Sequence, residues 1–533
     1  MTRERNASSW DRRSLVKVAG GTVLTAATLG ATRLPVMAAG GASPTGSRGP
    51  LAAGRQPADR MAELAIDLAT EPATLDPALV YDADSWSVVH SVYDALVQYG
   101  PDGELQPLLA ESLEQTDPLT WEARLRPGVV FHSGEPFDAA SVAFSVAHIQ
   151  DPATGSQVAA NFAAIEAVEE VEPLLVRFRL SAPAPWLPAQ MAAWLAMLPP
   201  AYAADPANDF AANPVGTGPY RFAAWERGRE IRLDVNPDYA GDGPKGAPIA
   251  EAVRFRPVPE ATTRVSDLLS GTSGLIRSVP VDQIEAVEGG AVLVAEPLSG
   301  SAWIRIPTDV APFDDVRVRQ ALNFAVDVDG IVAALLAGNG ERLPNFFVEG
   351  GLGWDPGLKP YGYDPEQARA LLSEAGYGKG FDTALEFAAS EREEVVLAVA
   401  GQLLEVGVRV EARPVETATF NATWTDQAAA PLRFATWRPL FDPYTLLSLV
   451  VSSEGFLSRH DNVNVQKAIE AAAVEPDPAT REKLYREVGR RLRDEPAAIY
   501  LYRLTGLYGL AADVPAWTPR ADDYLIATVV GEG

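Results

Sequence analysis

The chain has no cysteine among its 533 residues and only four histidines. The first absence excludes a disulfide framework, a thiolate metal site, a cysteine nucleophile and an iron–sulfur cluster. His90, His132, His148 and His460 stand too far apart to show the close spacing of a zinc or iron site, so no metal or cofactor is expected. Each is read as structural or surface; His132, in Phe131-His-Ser-Gly, sits on a turn. Positive charge is also scarce: 44 basic residues face 71 acidic ones, for a net charge of −27. Nucleic acid and anionic membrane surfaces are therefore not expected partners, and the acidity is read as a means of solubility. No Gly-x-Ser-x-Gly elbow, His-Glu-x-x-His helix or phosphate loop occurs.

What is present at the N-terminus is an address. Asp11-Arg-Arg-Ser-Leu-Val-Lys17 precedes an uncharged run, Val18 to Ala31, shorter than the roughly 20 strongly apolar residues of a membrane span and softened by Gly and Thr. It reads as a twin-arginine export signal covering 1–39, cleaved after the small residues of Val36-Met-Ala38 or Met37-Ala-Ala39. An uncleaved anchor is the alternative. A flexible Gly/Ser/Pro linker follows at 40–57. Because the first 38 residues hold six basic and two acidic side chains, the remainder carries −31. The mature chain exceeds what one core organises, so two or three domains are expected.

Local signals alternate between helix and strand. Asp364-Pro-Glu-Gln367 offers a capping Asp, a Pro at the first helical position and a Gln behind it, with Gly376 at the far end. Asp477-Pro478 opens another helix with Leu484, Val488 and Leu492 on one stripe. A third is expected from Asp314 or Asp315 to Gly338-Asn-Gly340. Leu174–Leu180, Glu230–Val235, Val253–Val258, Val408–Val415, Leu432–Trp437 and Ala498–Leu504 read as strands.

The segment Asn213-Pro-Val-Gly-Thr-Gly-Pro-Tyr220 is dense in residues that fix backbone geometry. With Arg221-Phe-Ala-Ala-Trp225 and Asn236-Pro-Asp-Tyr239 after it, it resembles the signature of the extracytoplasmic solute-binding proteins of ABC importers, in the peptide- and nickel-binding family. Pro72-Ala-Thr-Leu-Asp-Pro77, Val92-Tyr-Asp-Ala-Leu96, Leu105–Ser112, Arg124–Phe137, Asp315–Leu322 and Tyr363–Tyr377 continue the resemblance in the family's order. It implies an α/β fold: a type II-like periplasmic-binding-protein clamshell of two lobes with an extra domain inserted in the first. The expected division is 58–98, 214–300 and 496–533 for the first lobe, 99–213 for the inserted domain and 301–495 for the second lobe. Pro297–Gly300 and Asp494–Pro496 are the hinge candidates. It also implies a monomer that captures a peptide or small-molecule solute and delivers it to permease subunits in the inner membrane. Lacking the lipidated cysteine of tethered relatives, the protein is expected free in a periplasm.

The resemblance further implies where solute binds. Thr70 and Glu71 follow the first strand, with Tyr81 and Trp86 behind them; Trp303, and more weakly Trp354, lie in the second lobe. In the segment Phe434–Pro443, Trp437, Arg438 and Phe441 suit a wall for stacking and anion pairing. Peptide-binding relatives carry an aspartate for the peptide ammonium three residues after this Trp; here the residue is Leu440. Asp442 either replaces it or caps the next helix. Ile304-Arg-Ile-Pro-Thr308 and Gly271-Thr-Ser-Gly274 also depart from the family's pattern. A non-peptide solute such as an oligosaccharide, metal chelate or amino-acid conjugate is the alternative. From other classes, a secreted carboxylate-dependent hydrolase and a receptor-like signalling or chaperone protein stay open; the acidic Glu391-Arg-Glu-Glu394 reads as a solvated helix face.

Overall fold

Eleven strands form one sheet that runs through both lobes. The computed structural model describes residues 60–424, 426, 429–437, 442–515 and 517–530. Among them the path of the large sheet is Val408–Val415, Phe381–Ala388, Leu432–Trp437, Val292–Arg305, Ala498–Leu510, Leu275–Arg277, Leu64–Leu68, Ala252–Pro257, Glu230–Val235 and Tyr220–Glu226, with Glu341–Arg342 paired to Ala498–Leu510. Val292–Arg305 and Ala498–Leu510 are the two crossings between lobes. They pair antiparallel, and their register shifts between Pro297 and Ser301. Asp494 and Pro496 lie apart from that shift: their carbonyls accept from Gln320 Nε2 and Arg319 Nε, on the helix Val316–Phe324.

The strands Leu64–Leu68 and Leu275–Arg277 lie parallel, as do Phe381–Ala388 and its neighbours Val408–Val415 and Leu432–Trp437. Such strands are covered on both faces and read as apolar runs. In the second lobe one core lies under helices such as Val316–Phe324 and Glu393–Glu405. The other lies under Pro443–Val450, Val463–Val474 and Pro478–Asp494. A separate four-stranded sheet, Ala110–Asp117, Thr120–Leu125, Leu175–Leu180 and Ile165–Glu172, falls within residues 99–213. Its Leu113, Trp121 and Phe178 share one continuous core with Leu64 and Ile66.

Capping signals define the helices. The Asp364 side chain accepts from Gln367 N at 2.8 Å, and Gly376, at φ +87°, ends the helix Pro365–Glu374. The long helix expected from Asp315 to Gly338 is instead two, Val316–Phe324 and Val328–Leu335, because Asp327 caps a second start by accepting from Gly330 N at 2.9 Å.

The Asn213–Tyr220 turn is explained by contact rather than by positive φ. A Cβ at Gly216 would stand 2.1 Å from Val92 O, and one at Gly218 would stand 2.7 Å from it. Thr217 Oγ1 donates to Asp94 Oδ2 at 3.0 Å, and Tyr220 Oη donates to Ala527 O at 2.6 Å. His132 belongs to this turn, with Nε2 3.0 Å from Gly218 O, and its burial lowers its pKa to about 4.

One polar residue conflicts with its surroundings. Asp67, central in Leu64–Leu68, is fully buried, with Arg256 Nη1 3.2 Å from its carboxylate. Desolvation outweighs that partner and raises its pKa to about 6. The folded state thus holds the proton more tightly than the unfolded one, whose pKa is about 3.9. The resulting stabilisation is present below about pH 4 and is lost as pH rises through 6. Asp67→Asn should therefore match the parent near pH 4 and exceed it at pH 7 by up to about 3 kcal/mol. Urea midpoints at the two pH values check this.

Candidate functional site

Four chain segments leave the carboxyl ends of parallel strands toward the same gap between the lobes. Thr70 and Glu71 follow Leu64–Leu68, Ser278 follows Leu275–Arg277, Glu391 and Arg392 follow Phe381–Ala388, and Leu432–Trp437 ends in Thr436 and Trp437. Open α/β sheets bind ligands at this edge, because loops there converge while the strands stay rigid. A cavity of about 230 Å³ lies in the gap. Ser278, Val279, Leu507 and Asp523 are among the residues that line it, together with Glu391, Arg392, Thr436 and Tyr502.

The first-lobe wall rests on a buried charge network. Arg277 pairs with Asp84 and with Asp523, whose Oδ2 is 3.3 Å from Nη1 and whose other oxygen accepts from Tyr508 Oη at 2.6 Å. Asp84 Oδ2 also accepts from both Thr70 N and Thr70 Oγ1 at 2.9 Å. Ser278 and Asp523 hold left-handed backbone, at φ 58° and 67°. Such conformations cost about 1–3 kcal/mol each and persist where neighbours over-determine them, as this network does. On the second-lobe wall Thr436 Oγ1 donates to Glu391 Oε1 at 2.8 Å. Arg392 is half-exposed, with Glu394 at 3.6 Å.

Of the residues expected at the site, Thr70 is tied into the network under the cavity. The Glu71 carboxylate is engaged elsewhere: it accepts from Trp225 Nε1 at 2.9 Å and from Gly228 N at 3.0 Å, pinning the hairpin of Tyr220–Glu226 and Glu230–Val235 to the first lobe. Tyr81 is 47% exposed and stacks on Trp194 with ring centroids 5.3 Å apart. Trp86 lies behind it, 1% exposed, edge-on to Trp194 and stacked over Tyr524. Trp303 is a correction: at 1% exposure, between Phe346 and Trp424, it is a core residue. Trp354 likewise packs against that core. Trp437 is half-buried at the end of its strand, paired with Ser301. Arg438, Leu440 and Phe441 lie outside the described residues.

Asp442 caps the helix Pro443–Val450 by accepting from Tyr444 N at 2.9 Å. Both its oxygens also accept from Arg481, at 2.7 and 2.9 Å, and the pair is buried. That geometry leaves no place for a solute ammonium on Asp442. Glu391 and Arg392, just before the helix Glu393–Glu405, line the cavity, while Glu393 and Glu394 are exposed in its first turn as a solvated face requires; the usable signal for the first two is their place after a parallel strand. Ser278, Tyr502 and Asp523 carry no sequence signal, since their position depends on the crossing strands.

Comparison with known proteins agrees with this architecture. Residues 104–458 match the model described as bacterial extracellular solute-binding proteins, family 5 Middle. A glutathione-binding protein of Pectobacterium atrosepticum is 32% identical over 348 residues, 63% of this chain and 66% of that one. A probable D,D-dipeptide-binding periplasmic protein of Escherichia coli is 28% identical over 467 residues, 83% of this chain and 88% of its own. Among solved structures, the substrate-binding protein CtaP of Listeria monocytogenes superposes with a TM-score of 0.79 at 21% identity, over 88% of this chain and 99% of that one. NikA of Brucella suis in complex with Fe(III)-EDTA gives 0.78 at 24%, over 87% and 98%.

The chain is thus a two-lobed periplasmic binding protein whose cleft takes up a solute. It belongs to the bacterial extracellular solute-binding proteins of family 5 and is the substrate-binding component of an ABC importer.

Proposed function

We propose that the solute is a short peptide or peptide-like zwitterion, held in the cavity between Ser278 and Thr436 and passed on to permease subunits of the inner membrane. The observation that carries this reading is the charge of the walls: the carboxylate of Glu391 and the guanidinium of Arg392 offer both signs to one small space. Arg392 is the half-exposed cation, suited to a solute carboxylate. Names of the relatives, a glutathione-binding and a D,D-dipeptide-binding protein, point the same way. Selectivity follows from polar groups left unpaired when a wrong solute enters.

The protein is read as a monomer that binds without catalysis, leaves the cytoplasm by the twin-arginine route and loses residues 1–39. The proposed layout keeps the first lobe at 58–98, 214–300 and 496–533, with 99–213 inserted and 301–495 opposite. Thermal-shift screening of di- to pentapeptides, sugars and metal chelates tests the solute class, since a ligand of the folded state raises its melting temperature. Arg392→Ala should weaken a carboxylate-bearing solute by about 10- to 150-fold, the worth of a charged hydrogen bond, with little change in stability. Equal affinity in the variant sinks the assignment of Arg392. A response to sugars alone, with none to peptides, sinks the peptide reading.

A further inference from the structure

The helix Leu187–Trp194 of the inserted domain turns one face toward the second lobe. Trp186, Gln190 and Trp194 recur at i, i+4 and i+8 and so share that face. Trp194 backs the half-exposed ring of Tyr81. The other two grip the helix Pro443–Val450: Trp186 stacks on Tyr444 with centroids 4.3 Å apart and planes 8° from parallel, and Gln190 Nε2 donates to Thr445 Oγ1 at 2.8 Å. That second helix is fixed in its own lobe, because Asp442 before it is locked to Arg481, and it follows the strand whose Thr436 lines the cavity.

We infer that Trp186 and Gln190, with Tyr444 and Thr445, form a latch that holds the inserted domain against the second lobe and limits the length of the solute. Two rings 4.3 Å apart admit nothing between them, so a chain that projects past the helix Pro443–Val450 must break the stack. The cavity of about 230 Å³ is of the order of the ~150 Å³ cavity that holds one benzene, room for a compact solute and not an extended one. The length limit rests on the peptide reading above; the latch does not.

Because the chain has no cysteine, cysteines introduced at the exposed Glu172 and Glu470 carry the only two spin labels. Distance distributions of the solute-free protein are expected to show a short-distance population in the parent. Trp186→Ala, or Tyr444→Ala should the first fold poorly, should lower its ratio to longer distances by about 2- to 12-fold, the worth of one aromatic pair. Equal distributions in parent and variants, or no short-distance population in the parent, overturn the latch. In a second arm, dialanine and trialanine should bind the parent and pentaalanine should not, whereas Trp186→Ala should gain at least about a tenfold response to pentaalanine from its open end. A parent that binds pentaalanine as tightly as dialanine overturns the length limit. If no alanine peptide binds either protein, the peptide reading and the limit fall together, and the distance comparison still decides the latch.

Discussion

Asp442→Ala is expected to destabilise the second lobe by about 3–5 kcal/mol, because it leaves the buried Arg481 guanidinium without its counter-charge. Both carboxylate oxygens face that guanidinium, and each residue keeps only 7% of its side chain exposed. Arg481 also donates to Ala472 O and Tyr485 Oη, which hold it in place. A second loss is the cap on the helix Pro443–Val450, worth about 1 kcal/mol. Pairing the change with Arg481→Met should recover much of the loss, since a buried ion pair replaced by apolar side chains of similar size is often neutral or stabilising. Urea denaturation of both variants checks this. An Asp442→Ala protein as stable as the parent, but with weakened solute binding, would instead make Asp442 part of the ligand site.

Replacing Arg12 and Arg13 by lysine is expected to keep the protein in the cytoplasm as the uncleaved precursor. The pair lies just before the uncharged run from Val18 to Ala31, the arrangement on which the proposed twin-arginine route rests. Lysine preserves the charge and removes only the guanidinium geometry, so a loss of export separates recognition of the pair from simple positive charge. Immunoblots of periplasmic and cytoplasmic fractions provide the readout. An unchanged periplasmic level of mature protein contradicts the assigned route.

How far the sequence reached is clearest at its turns. Capping residues and parallel-strand patterns are local, and Asp364, Asp477 and the strands Val408–Val415 and Leu432–Trp437 do what their neighbours in sequence dictate. Asp327 defeated the expectation of one long helix because Ala325–Asp327 carries neither Gly nor Pro to mark a break, although Asp327 caps the second start locally through Gly330 N. The glycines of the Asn213–Tyr220 turn were legible as constrained, but their reason, close approach to Val92, needs the fold. Site residues were harder. Large aromatics such as Trp303 and Trp86 serve cores as readily as clefts, and a sequence does not tell which side of a strand looks into a gap between lobes. Asp523 and Ser278 reach the cavity only because the crossing strand Ala498–Leu510 brings distant segments together. The latch was invisible for the same reason: Gln190 and Thr445 are 255 positions apart.

Native mass spectrometry of the protein purified from its own periplasm tests the central claim most directly. Capture between the lobes predicts a population heavier by one small solute, at one copy per chain, whose released mass belongs to a compact zwitterion and which is depleted in Arg392→Ala. Protein at its bare mass in every preparation, with no one-to-one complex on adding millimolar dipeptides or other small zwitterions, would contradict it.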